Sequence, residues 1–529
     1  MSQETELKTL YDLIEFRASA LKDKPYLMHE DLVISYREFN EATCRAANGL
    51  IKQGGNPGDG VALLMGNCPE YLYLFNGLPR GGFYGVPVNT ALKKNGLRYI
   101  LTNSDVKFLI VDDDLYPRVA ELDKPLGQIR QVFIRRTTDD PLPAGCIDLD
   151  TLLDASSEKP DHATDPDAIA YLMYTSGTTG FPKGVVNRVG AQDPNAIMMF
   201  ANLLLKEEDI LYTGLPLFHG NALLLSAGLA MGRGATLALD KRFTASGFWD
   251  AIRRYKATQF NALGSVLQIL MKQPEKPNDA DNPVRMVLSG GCPKNIWKAF
   301  EKRFGVTIWE VYGAVDGGGI NSLNLGNAPV GSIGKPIGDI EWMLVDDEGK
   351  EVPPGVIGEL VHKVKDKKEI SVDYFKNPEA SRTKVRDGLI YSGDLFTRDE
   401  DDNLYFVDRK TDSMRRRGEN ISSFEVESII EKHRAVAECA AFGVPSELGE
   451  DDVMIWVRPK ADQKLDREDL VHFCADNMAY FMVPRYVDVV DEIPKTETLR
   501  FKKNELKQQG VTDRTWDREE EMPDLKLRK

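Results

Sequence analysis

A segment rich in glycine and hydroxyl side chains is the first part of the chain whose residue types point to a chemistry. Positions 174–184 read Tyr-Thr-Ser-Gly-Thr-Thr-Gly-Phe-Pro-Lys-Gly, directly after an apolar run at 169–173 that predicts a buried strand. Glycines let backbone N–H groups approach an anion closely, and hydroxyls add further donors. Lys183 can neutralise the β- or γ-phosphate of a nucleotide. The segment therefore predicts a phosphate-binding loop.

Two other interpretations compete with phosphate binding. A Ser/Thr/Gly-rich stretch can be a flexible linker, but a linker has no need of Lys183 between Pro182 and Gly184 directly after a strand. A P-loop nucleotidase also binds phosphate with glycines and a lysine, but its G-x-x-x-x-G-K-[ST] spacing is absent here. Phosphate binding is favoured. The candidate contacts besides Lys183 are Thr175, Ser176, Gly177, Thr178, Thr179 and Gly180.

This loop resembles the signature of the adenylate-forming superfamily of acyl-CoA synthetases, synthetase adenylation domains and luciferases. Further motifs of the superfamily follow in order, from about residue 35 to residue 507. The stretches 241–249, 374–379 and 417–420 are most similar to fatty-acyl and crotonobetaine/carnitine-type coenzyme A ligases. The resemblance implies an α/β fold with a large N-terminal adenylate-forming domain of mixed sheets and helices. A small, mobile α+β C-terminal domain would follow it.

The resemblance also implies places for the acyl and adenine groups. His219, in Pro-Leu-Phe-His-Gly at 216–220, would lie near the substrate carboxylate and gate the acyl pocket. Taken alone, a histidine after an apolar run is more often structural. Gly290 and Gly291 would form the adenine-side loop, and Tyr312, followed by Gly313, would stack on adenine.

The segment Tyr-Gly-Ala-Val-Asp at 312–316 departs from the superfamily's Tyr-Gly-x-Thr-Glu pattern at two positions. The usual glutamate, an Mg²⁺ ligand, is Asp316, a shorter carboxylate that still offers hard oxygen ligands. The usual threonine, which binds the adenylate phosphate, is Val315, which has no donor. Loss of one such bond costs about 1–3 kcal/mol in affinity if nothing compensates. Three glycines at 317–319 either widen the acyl site or form a flexible loop.

Ribose contacts and a hinge are implied near the end of the large domain. Asp394 would accept hydrogen bonds from both ribose hydroxyls, and Arg409 belongs to the second ribose segment. Two residues further on, where the superfamily usually has an aspartate or lysine hinge, this chain has Thr411. The predicted domains are an N-terminal AMP-binding domain at 1–408 and a mobile C-terminal domain at 409–529.

Two more motifs belong to the small domain. Gly418, after the arginines at 415–417, would line the pantetheine channel once the domain has rotated inward. The arginines suit coenzyme A phosphates, although a solvated basic face explains them equally well. The superfamily's bridging lysine aligns with Arg500, which keeps the charge and can pair bidentately with oxyanions. Lys502 or Lys503 could take its place.

Apolar periodicity predicts the elements that position these residues. Between residues 60 and 300, apolar runs alternate with helical patterns, as in a strand at 106–111 and a strand–helix–strand unit ending at 258–262. Thr244 is the predicted cap of that unit's helix at 246–255. Beyond residue 400 the pattern changes to a compact α+β unit with a last strand at 486–490. The charged tail after Val511 is predicted to be poorly ordered or peripheral.

Bulk composition limits the partners and the compartment. The net charge of −15 argues against nucleic acid, because phosphate backbones attract a basic excess. The six cysteines have no C-x-x-C spacing, which suits reduced thiols rather than a zinc site or disulfides. No apolar run reaches the length of a membrane span, and the first residues lack the character of a secretory signal. A cytoplasmic protein is predicted, and a homo-oligomer stays open.

The resemblance to the adenylate-forming superfamily implies an acid–thiol ligase. A carboxylic acid with a fatty or bulky acyl group would react with ATP and Mg²⁺ to give acyl-AMP, and coenzyme A would then displace AMP. Lys183, His219, Asp316 and Arg500 are the predicted catalytic residues, and Asp316 is the predicted metal ligand. Two alternatives stay open: a catalytically impaired nucleotide-binding paralogue, and an adenylating enzyme with another acceptor, carrier-protein or luciferase-like.

Overall fold

A computed structural model describes residues 7–122, 126–175, 181–317, 319–338, 340–346, 348–364, 372–410, 414–421, 423–447, 449–461, 463–494, 501 and 503–527. These ranges form a large N-terminal body of mixed sheets and helices and a smaller C-terminal α+β body, as predicted. Throughout the described ranges, no helix combines the length and the apolar character that a membrane crossing requires.

The centre of the N-terminal body is a mixed sheet. Its strands, in spatial order, are β16 (Lys335–Pro336), β15 (Gly319–Asn324), β14 (Thr307–Ala314), β13 (Met286–Gly290), β12 (Gln259–Leu263), β10 (Ile210–Thr213), β11 (Thr236–Leu239), β1 (Pro25–His29) and β2 (Leu32–Ser35). The pairs from β14 through β1 are parallel, because apolar strands alternate with crossover helices along the chain. The carboxyl ends of β12, β13 and β14 therefore meet at one edge, where ligands bind in such sheets.

A second sheet carries the predicted phosphate loop. In spatial order its strands are β7 (Ile147–Asp148), β6 (Gln131–Arg135), β5 (Val106–Asp112), β3 (Gly60–Leu64), β4 (Tyr84–Pro87), β8 (Ile169–Thr175) and β9 (Lys183–Arg188). Strands β8 and β9 are antiparallel, with Thr175 opposite Lys183. The two ends of the loop are thereby fixed to a buried strand pair.

Helices cover these two sheets. They are α1 (Leu10–Leu21), α2 (Tyr36–Lys52), α3 (Pro69–Gly77), α4 (Lys94–Asn103), α5 (Tyr116–Ala120), α6 (Asp150–Leu153), α7 (Pro194–Leu204), α8 (Leu229–Arg233), α9 (Phe248–Tyr255), α10 (Gly264–Met271) and α11 (Lys294–Phe304). Two 3₁₀ turns, Leu78–Gly81 and Val189–Ala191, and a π-helix at Asn221–Gly228 complete the set within the described ranges.

The predicted strands at 106–111 and 258–262 are confirmed within a residue or two, but the predicted helix cap is wrong. Helix α9 begins at Phe248, and its N-cap is Gly247, which makes no side-chain capping bond. A cap must directly precede the first helical residue, and Thr244 lies too far upstream. The start is set instead by Phe248 and Trp249, which are both buried in the core.

A third sheet lies between the two bodies along the chain. It contains β17 (Ile340–Val345), β18 (Gly358–Val364), β20 (Leu389–Arg398), β19 (Val385–Arg386) and β21 (Leu404–Arg409), with α12 (Pro378–Lys384) before β19. Strand β21 pairs antiparallel with β20, which sets Arg409 opposite Asp394. The two predicted ribose segments are therefore neighbours.

The C-terminal body starts with a hairpin and continues with an α+β unit. Its strands are β22 (Met414–Arg416), β23 (Glu419–Ile421), β24 (Val436–Pro445), β25 (Asp451–Pro459), β26 (Tyr486–Val489) and β27 (Trp516–Asp517). Its helices are α13 (Ser423–Ile430), α14 (Arg467–Asn477), α15 (Lys503–Gln509) and α16 (Arg518–Glu521). Its sheet has the order β24–β25–β26–β27, so β26 is not the last strand as predicted.

The charged tail is ordered at the edge of the C-terminal sheet, which agrees with the peripheral and not with the poorly ordered alternative of the prediction. Strand β27 pairs antiparallel with β26, and Arg485 binds the Asp517 carboxylate at 3.0 Å. Apolar side chains of the tail pack against the C-terminal core, namely Trp516, Met522, Leu525 and Leu527. Isolated apolar residues among charges give no periodic signal, so the sequence pattern concealed this packing.

Candidate active site

Four side chains from separate elements gather beside the predicted phosphate loop. Lys183 begins β9, and its Nζ lies 5.3 Å from the centroid of the Tyr374 ring. The Tyr374 hydroxyl donates a hydrogen bond to Asp316 Oδ2 at 2.6 Å. Lys384, the last residue of α12, places its Nζ 3.5 Å from the same carboxylate oxygen and donates to Ser392 O at 3.0 Å. The arrangement joins two cations and one carboxylate around a phenol.

The charges of this cluster influence one another. Burial lowers the pKa of Lys183, while Asp316 opposes the shift and Lys384 adds to it. Burial, followed by the charge of Asp316, raises the pKa of Tyr374 far above its ordinary value. Tyr374 therefore remains protonated and serves as a hydrogen-bond donor to the carboxylate.

The predicted adenine and ribose residues are also in contact. The Tyr312 hydroxyl donates to Asp394 Oδ2 at 2.7 Å, and its ring packs edge-on against Phe396 with 4.9 Å between centroids. Gly313 follows at an irregularity in the register of β14 with β15. Tyr312 and Asp316 are four residues apart, so one short segment reaches both the predicted ribose carboxylate, Asp394, and the cluster around Tyr374.

A buried carboxylate holds the predicted adenine-side loop. Glu310 accepts hydrogen bonds from the N–H of Gly291 and, at 3.1 Å, from the N–H of Cys292. Burial raises the pKa of Glu310 to about 8, although these backbone donors oppose the shift. Gly291 has a φ of 90°, which favours glycine, and it follows Gly290 at the end of β13. The backbone of the loop is therefore fixed at the carboxyl edge of the sheet.

His219 is bound by the C-terminal body. Its Nε2 lies 2.7 Å from Glu419 Oε2, and the Asn89 amide donates to the same oxygen at 3.2 Å. The Glu419 side chain is 10% exposed, whereas His219 is 39% exposed. Gly220, the next residue, faces Val315: an ideal Cβ on this glycine would lie 3.5 Å from Val315 Cγ2. His219 and Gly220 thus link the β22–β23 hairpin, through Glu419, to Val315 in the segment after β14.

Gly418, at the tip of that hairpin, lies against the carboxyl end of β12. It has a φ of 79°, and an ideal Cβ there would lie only 2.6 Å from Leu263 Cδ1. A side chain at position 418 would therefore be both strained and in collision. The hairpin tip therefore packs directly on the end of the Leu263 side chain, and a side chain at position 418 would have to displace it.

The neighbouring arginines do not form one basic face. Arg416 is buried, with its guanidinium 2.9 Å from the Asp452 carboxylate and donating to Val483 O at 2.9 Å. It is therefore part of the core of the C-terminal body. Arg417 is exposed, and its guanidinium lies 5.6 Å from the centroid of the Tyr480 ring.

Some predicted site residues lie outside the described part of the chain. These are Ser176, Gly177, Thr178, Thr179 and Gly180 of the phosphate loop, Thr411 of the hinge, Arg500 and Lys502. The side chain of Arg409 is likewise outside it. Lys503, an alternative to Arg500, binds Ser423 Oγ at 2.6 Å and Glu427 Oε1 at 2.7 Å within the C-terminal body.

Sequence reasoning missed the contributions of Tyr374, Lys384 and Glu310. Tyr374 was visible only as part of a family-like run, without a role. Glu310 lies two residues before the 312–316 motif but had no predicted role, and Lys384 belongs to no motif. The end of β14 brings Glu310 to the site, and α12 brings Lys384 there. Three-dimensional proximity was the missing signal.

Asp316 offers a carboxylate to a metal ion at this site. In the ranges that the structure describes, no group of three or more His, Cys, Asp or Glu side chains is placed to hold a metal ion. Mg²⁺ usually keeps several waters and binds one or two carboxylates plus substrate phosphates. The single carboxylate of Asp316, which is 20% exposed, suits that mode of binding.

Comparison with known proteins places this site in context. Residues 14–365 match the family described as AMP-binding enzyme, and residues 425–499 match the AMP-binding enzyme C-terminal domain. A crotonobetaine/carnitine–CoA ligase of Escherichia coli (strain K12 / DH10B) is 30% identical over 493 residues, which covers 89% of this chain and 93% of that ligase.

Two solved structures of o-succinylbenzoate CoA synthetase from Bacillus subtilis also resemble the chain, each 25% identical and each covering 94% of this chain and 98% of that one. A double mutant bound with its product analogue OSB-NCoA matches with a TM-score of 0.79. The complex with AMP matches with a TM-score of 0.64.

Proposed function

The chain belongs to the AMP-binding enzyme family, and we propose that it is an AMP-forming acyl-CoA ligase. It activates a carboxylic acid with ATP and transfers the acyl group to coenzyme A. The proposal depends chiefly on one observation: the 312–316 segment carries Tyr312 to Asp394 and Asp316 to the Tyr374–Lys183–Lys384 cluster. The predicted ribose contact, Asp394, and the two lysines that we expect to face the phosphates are therefore both linked to the segment at the end of β14.

In the first half-reaction, a carboxylate oxygen of the acid attacks the α-phosphorus of ATP. The bond from that phosphorus to the β-bridging oxygen breaks, and pyrophosphate leaves. Lys183 is the residue that we assign to neutralising the phosphates, and Lys384 adds a second positive charge near it. Asp394 binds the ribose, and Tyr312 packs beside the adenine. Catalysis then rests on positioning and charge neutralisation, without a covalent enzyme intermediate.

Mg²⁺ is assigned to Asp316 together with the phosphates of ATP. The ion would neutralise charge on the phosphates, as a hard cation does. The residues of this chain do the positioning: Tyr374 orients the carboxylate by its hydrogen bond at 2.6 Å. Arg500, which we propose in place of the usual lysine, would bridge the two reacting oxyanions.

In the second half-reaction, the thiol sulfur of coenzyme A attacks the acyl carbon, AMP leaves with the former carboxylate oxygen, and the thiol proton is released. We propose that the present arrangement serves this step. Gly418 and Glu419 lie at the site, and the chain resembles the CoA-analogue complex of the B. subtilis enzyme more closely than its AMP complex. We place the domain boundary after residue 408, so that the hairpin moves with the C-terminal body.

The acyl group is proposed to be fatty or bulky. Gly319 has a φ of 95°, and an ideal Cβ there would meet no atom within 4 Å. Gly319 is exposed, so a bulky group has room against the chain at this position. The curated relative acts on crotonobetaine and carnitine, as its name states, so small and charged acids belong in the test as well. The cytoplasmic location stays a prediction.

Pyrophosphate release and loss of free thiol test this function directly. Straight-chain, branched, aromatic and betaine-type carboxylates are offered with MgATP, with and without coenzyme A. We expect acid-dependent pyrophosphate release, and thiol loss only when coenzyme A is present. Lys183→Met is expected to lose both signals, with Lys302→Met, on the distant α11 surface, as the matched control. ATP binding without either signal would favour the impaired paralogue, and pyrophosphate release without thiol loss would favour another acceptor.

A further inference from the structure

The start of helix α4 in the N-terminal body holds the carboxyl end of helix α14 in the C-terminal body. Lys93 Nζ donates a hydrogen bond to Ala475 O at 2.7 Å. Lys94 Nζ donates to Asn477 Oδ1, also at 2.7 Å. We call residues 89–96 the α4 dock. Both lysines of the dock meet the last turn of α14, so they act on the same helix end.

Helix α14 needs a cation that its own sequence does not provide. Its last turn contains no basic residue, and the N–H of Met478 closes on Cys474 O. The carbonyl of Ala475 therefore belongs to the last turn, whose carbonyls have no intrahelical donor. A cation at this end also compensates the negative pole of the helix dipole. Lys93 meets both needs from the other body.

A hydrogen bond within α14 orients the second contact of the dock, between Lys94 and Asn477. The Asn477 side chain donates through Nδ2 to Phe473 O at 2.7 Å, one turn earlier in α14. This bond fixes the amide so that its oxygen faces Lys94. Lys94 itself has a φ of 41°, which a lysine seldom adopts. Such a conformation persists only where surrounding contacts stabilise it.

The same dock also touches the hairpin that reaches the active site. Ala91 is buried in the C-terminal core together with Met414 and Ile421, one from each strand of the hairpin. Asn89 binds the Glu419 carboxylate, which in turn binds His219. The position of α14 against α4 and the position of the hairpin at the site are therefore linked through eight consecutive residues, 89–96.

We propose that Lys93 and Lys94 are positioning residues for the second half-reaction. By holding the carboxyl end of α14 they select the orientation of the C-terminal body in which Gly418 and Glu419 lie at the active site. The inference rests on the proposed ligase function, in which the C-terminal body turns between the two steps. In that proposed cycle the hairpin leaves the site for the first step, so we expect the two lysine bonds not to contribute to adenylation.

The two half-reactions are measured separately in the full-length protein. Lys93→Met/Lys94→Met is compared with the wild type for pyrophosphate release without coenzyme A, and for single-turnover transfer from acyl-AMP to coenzyme A. We expect unchanged pyrophosphate release and transfer slowed by roughly tenfold or more, because two hydrogen bonds with charged donors are lost, one part-buried and one exposed. Lys93→Arg/Lys94→Arg keeps the donors and should restore much of the transfer rate. Lys302→Met is the control for removal of an exposed lysine.

A second readout reports the orientation itself and needs no substrate. Lys272 Nζ lies 3.3 Å from Glu447 Oε2, at a separate contact between the bodies. In Lys272→Cys/Glu447→Cys, a short bis-maleimide should cross-link the two thiols readily. Adding Lys93→Met/Lys94→Met should slow this cross-linking severalfold, whereas Lys302→Met should not.

The possible outcomes distinguish a failure of the role assigned to the dock lysines from a failure of the proposed ligase function. Equal cross-linking with and without the dock lysines, or an equal loss in both half-reactions, would overturn the assignment of these lysines. If the wild type forms neither acyl-AMP nor thioester with any acid, the ligase function fails. The cross-linking result then still decides whether the lysines hold the orientation.

Discussion

The hydroxyl of Tyr374 is hydrogen-bonded to Asp316 Oδ2 at 2.6 Å, although the two residues are 58 positions apart. The contact brings a residue that precedes α12 onto the segment that follows β14. Lys384 approaches the same oxygen at 3.5 Å, so the predicted metal ligand is held on one side by a neutral donor and by a cation. The orientation of Asp316 therefore depends on the third sheet as well as on its own strand.

Replacing Tyr374 by phenylalanine should weaken the first half-reaction. The ring would still pack over Lys183, but the Asp316 carboxylate would lose the donor that orients it. Loss of such a partner of a metal ligand typically lowers metal affinity or activity by about 10-fold or more. The measurement is acid-dependent pyrophosphate release over a range of Mg²⁺ concentrations. An unaltered Mg²⁺ dependence would show that the hydroxyl plays no part in orienting Asp316.

Lys384→Met should raise the KM for MgATP. The substrate is an anion, and the variant removes one of two positive charges beside Asp316, which at this burial corresponds to about a tenfold loss. Lys384→Arg keeps the charge and serves as the matched control. Initial rates of pyrophosphate release at varied MgATP give the comparison. Equal KM values for Lys384→Met and the wild type would contradict a phosphate-side role for this lysine.

Gly418→Ala should impair transfer to coenzyme A while adenylation persists. The new methyl group would meet Leu263 Cδ1 at 2.6 Å and would also occupy a left-handed conformation. Leu263→Ala in the same chain removes the collision but not the strain, so it should restore part of the rate. Single-turnover transfer from acyl-AMP measures both variants. A wild-type transfer rate in Gly418→Ala would mean that the hairpin does not approach β12 so closely during the reaction.

Glu425, in the first turn of α13, should make stability depend on pH. Burial raises the pKa of this carboxyl from its ordinary 4.5 to about 7. The folded protein then holds a proton that the unfolded chain releases, so stability falls as pH rises from about 4.5 to about 7 and levels off above that. A shift of this size corresponds to a difference on the order of a few kcal/mol.

Thermal unfolding of Glu425→Gln across this pH range tests the assignment. The variant should lose part of the decline, because its amide does not titrate. Glu431→Gln, an exposed position at the end of the same helix, is the control and should keep the wild-type slope. If both variants follow the same curve as the wild type, the proton resides elsewhere.

Motif residues could be predicted because their types and order are restrictive. Lys183 and Asp316 both contact Tyr374, and Tyr312 contacts Asp394. The roles assigned to these residues stay predictions. Gly418 was assigned to a channel, and its contact with Leu263 gives that assignment a steric reason.

Partners from other segments could not be predicted in the same way. Lys384 and Glu310 have ordinary types, and only the fold brings them to the site. Arg416 looked like a ligand for phosphate until its buried pairing with Asp452 was visible. A run of like charges does not state which members are exposed, because that depends on packing across the whole domain.

The ordered tail affects the tendency of this protein to aggregate. Strand β27 is only two residues long, yet it covers the outer side of β26, and Arg485 fastens it through Asp517. Without the tail, β26 would present unpaired backbone donors and acceptors, and such an edge recruits strands from other chains. Residues 516–517 therefore cover a sheet edge that could otherwise pair with another chain. We expect a chain truncated before Trp516 to precipitate rather than only lose one short strand.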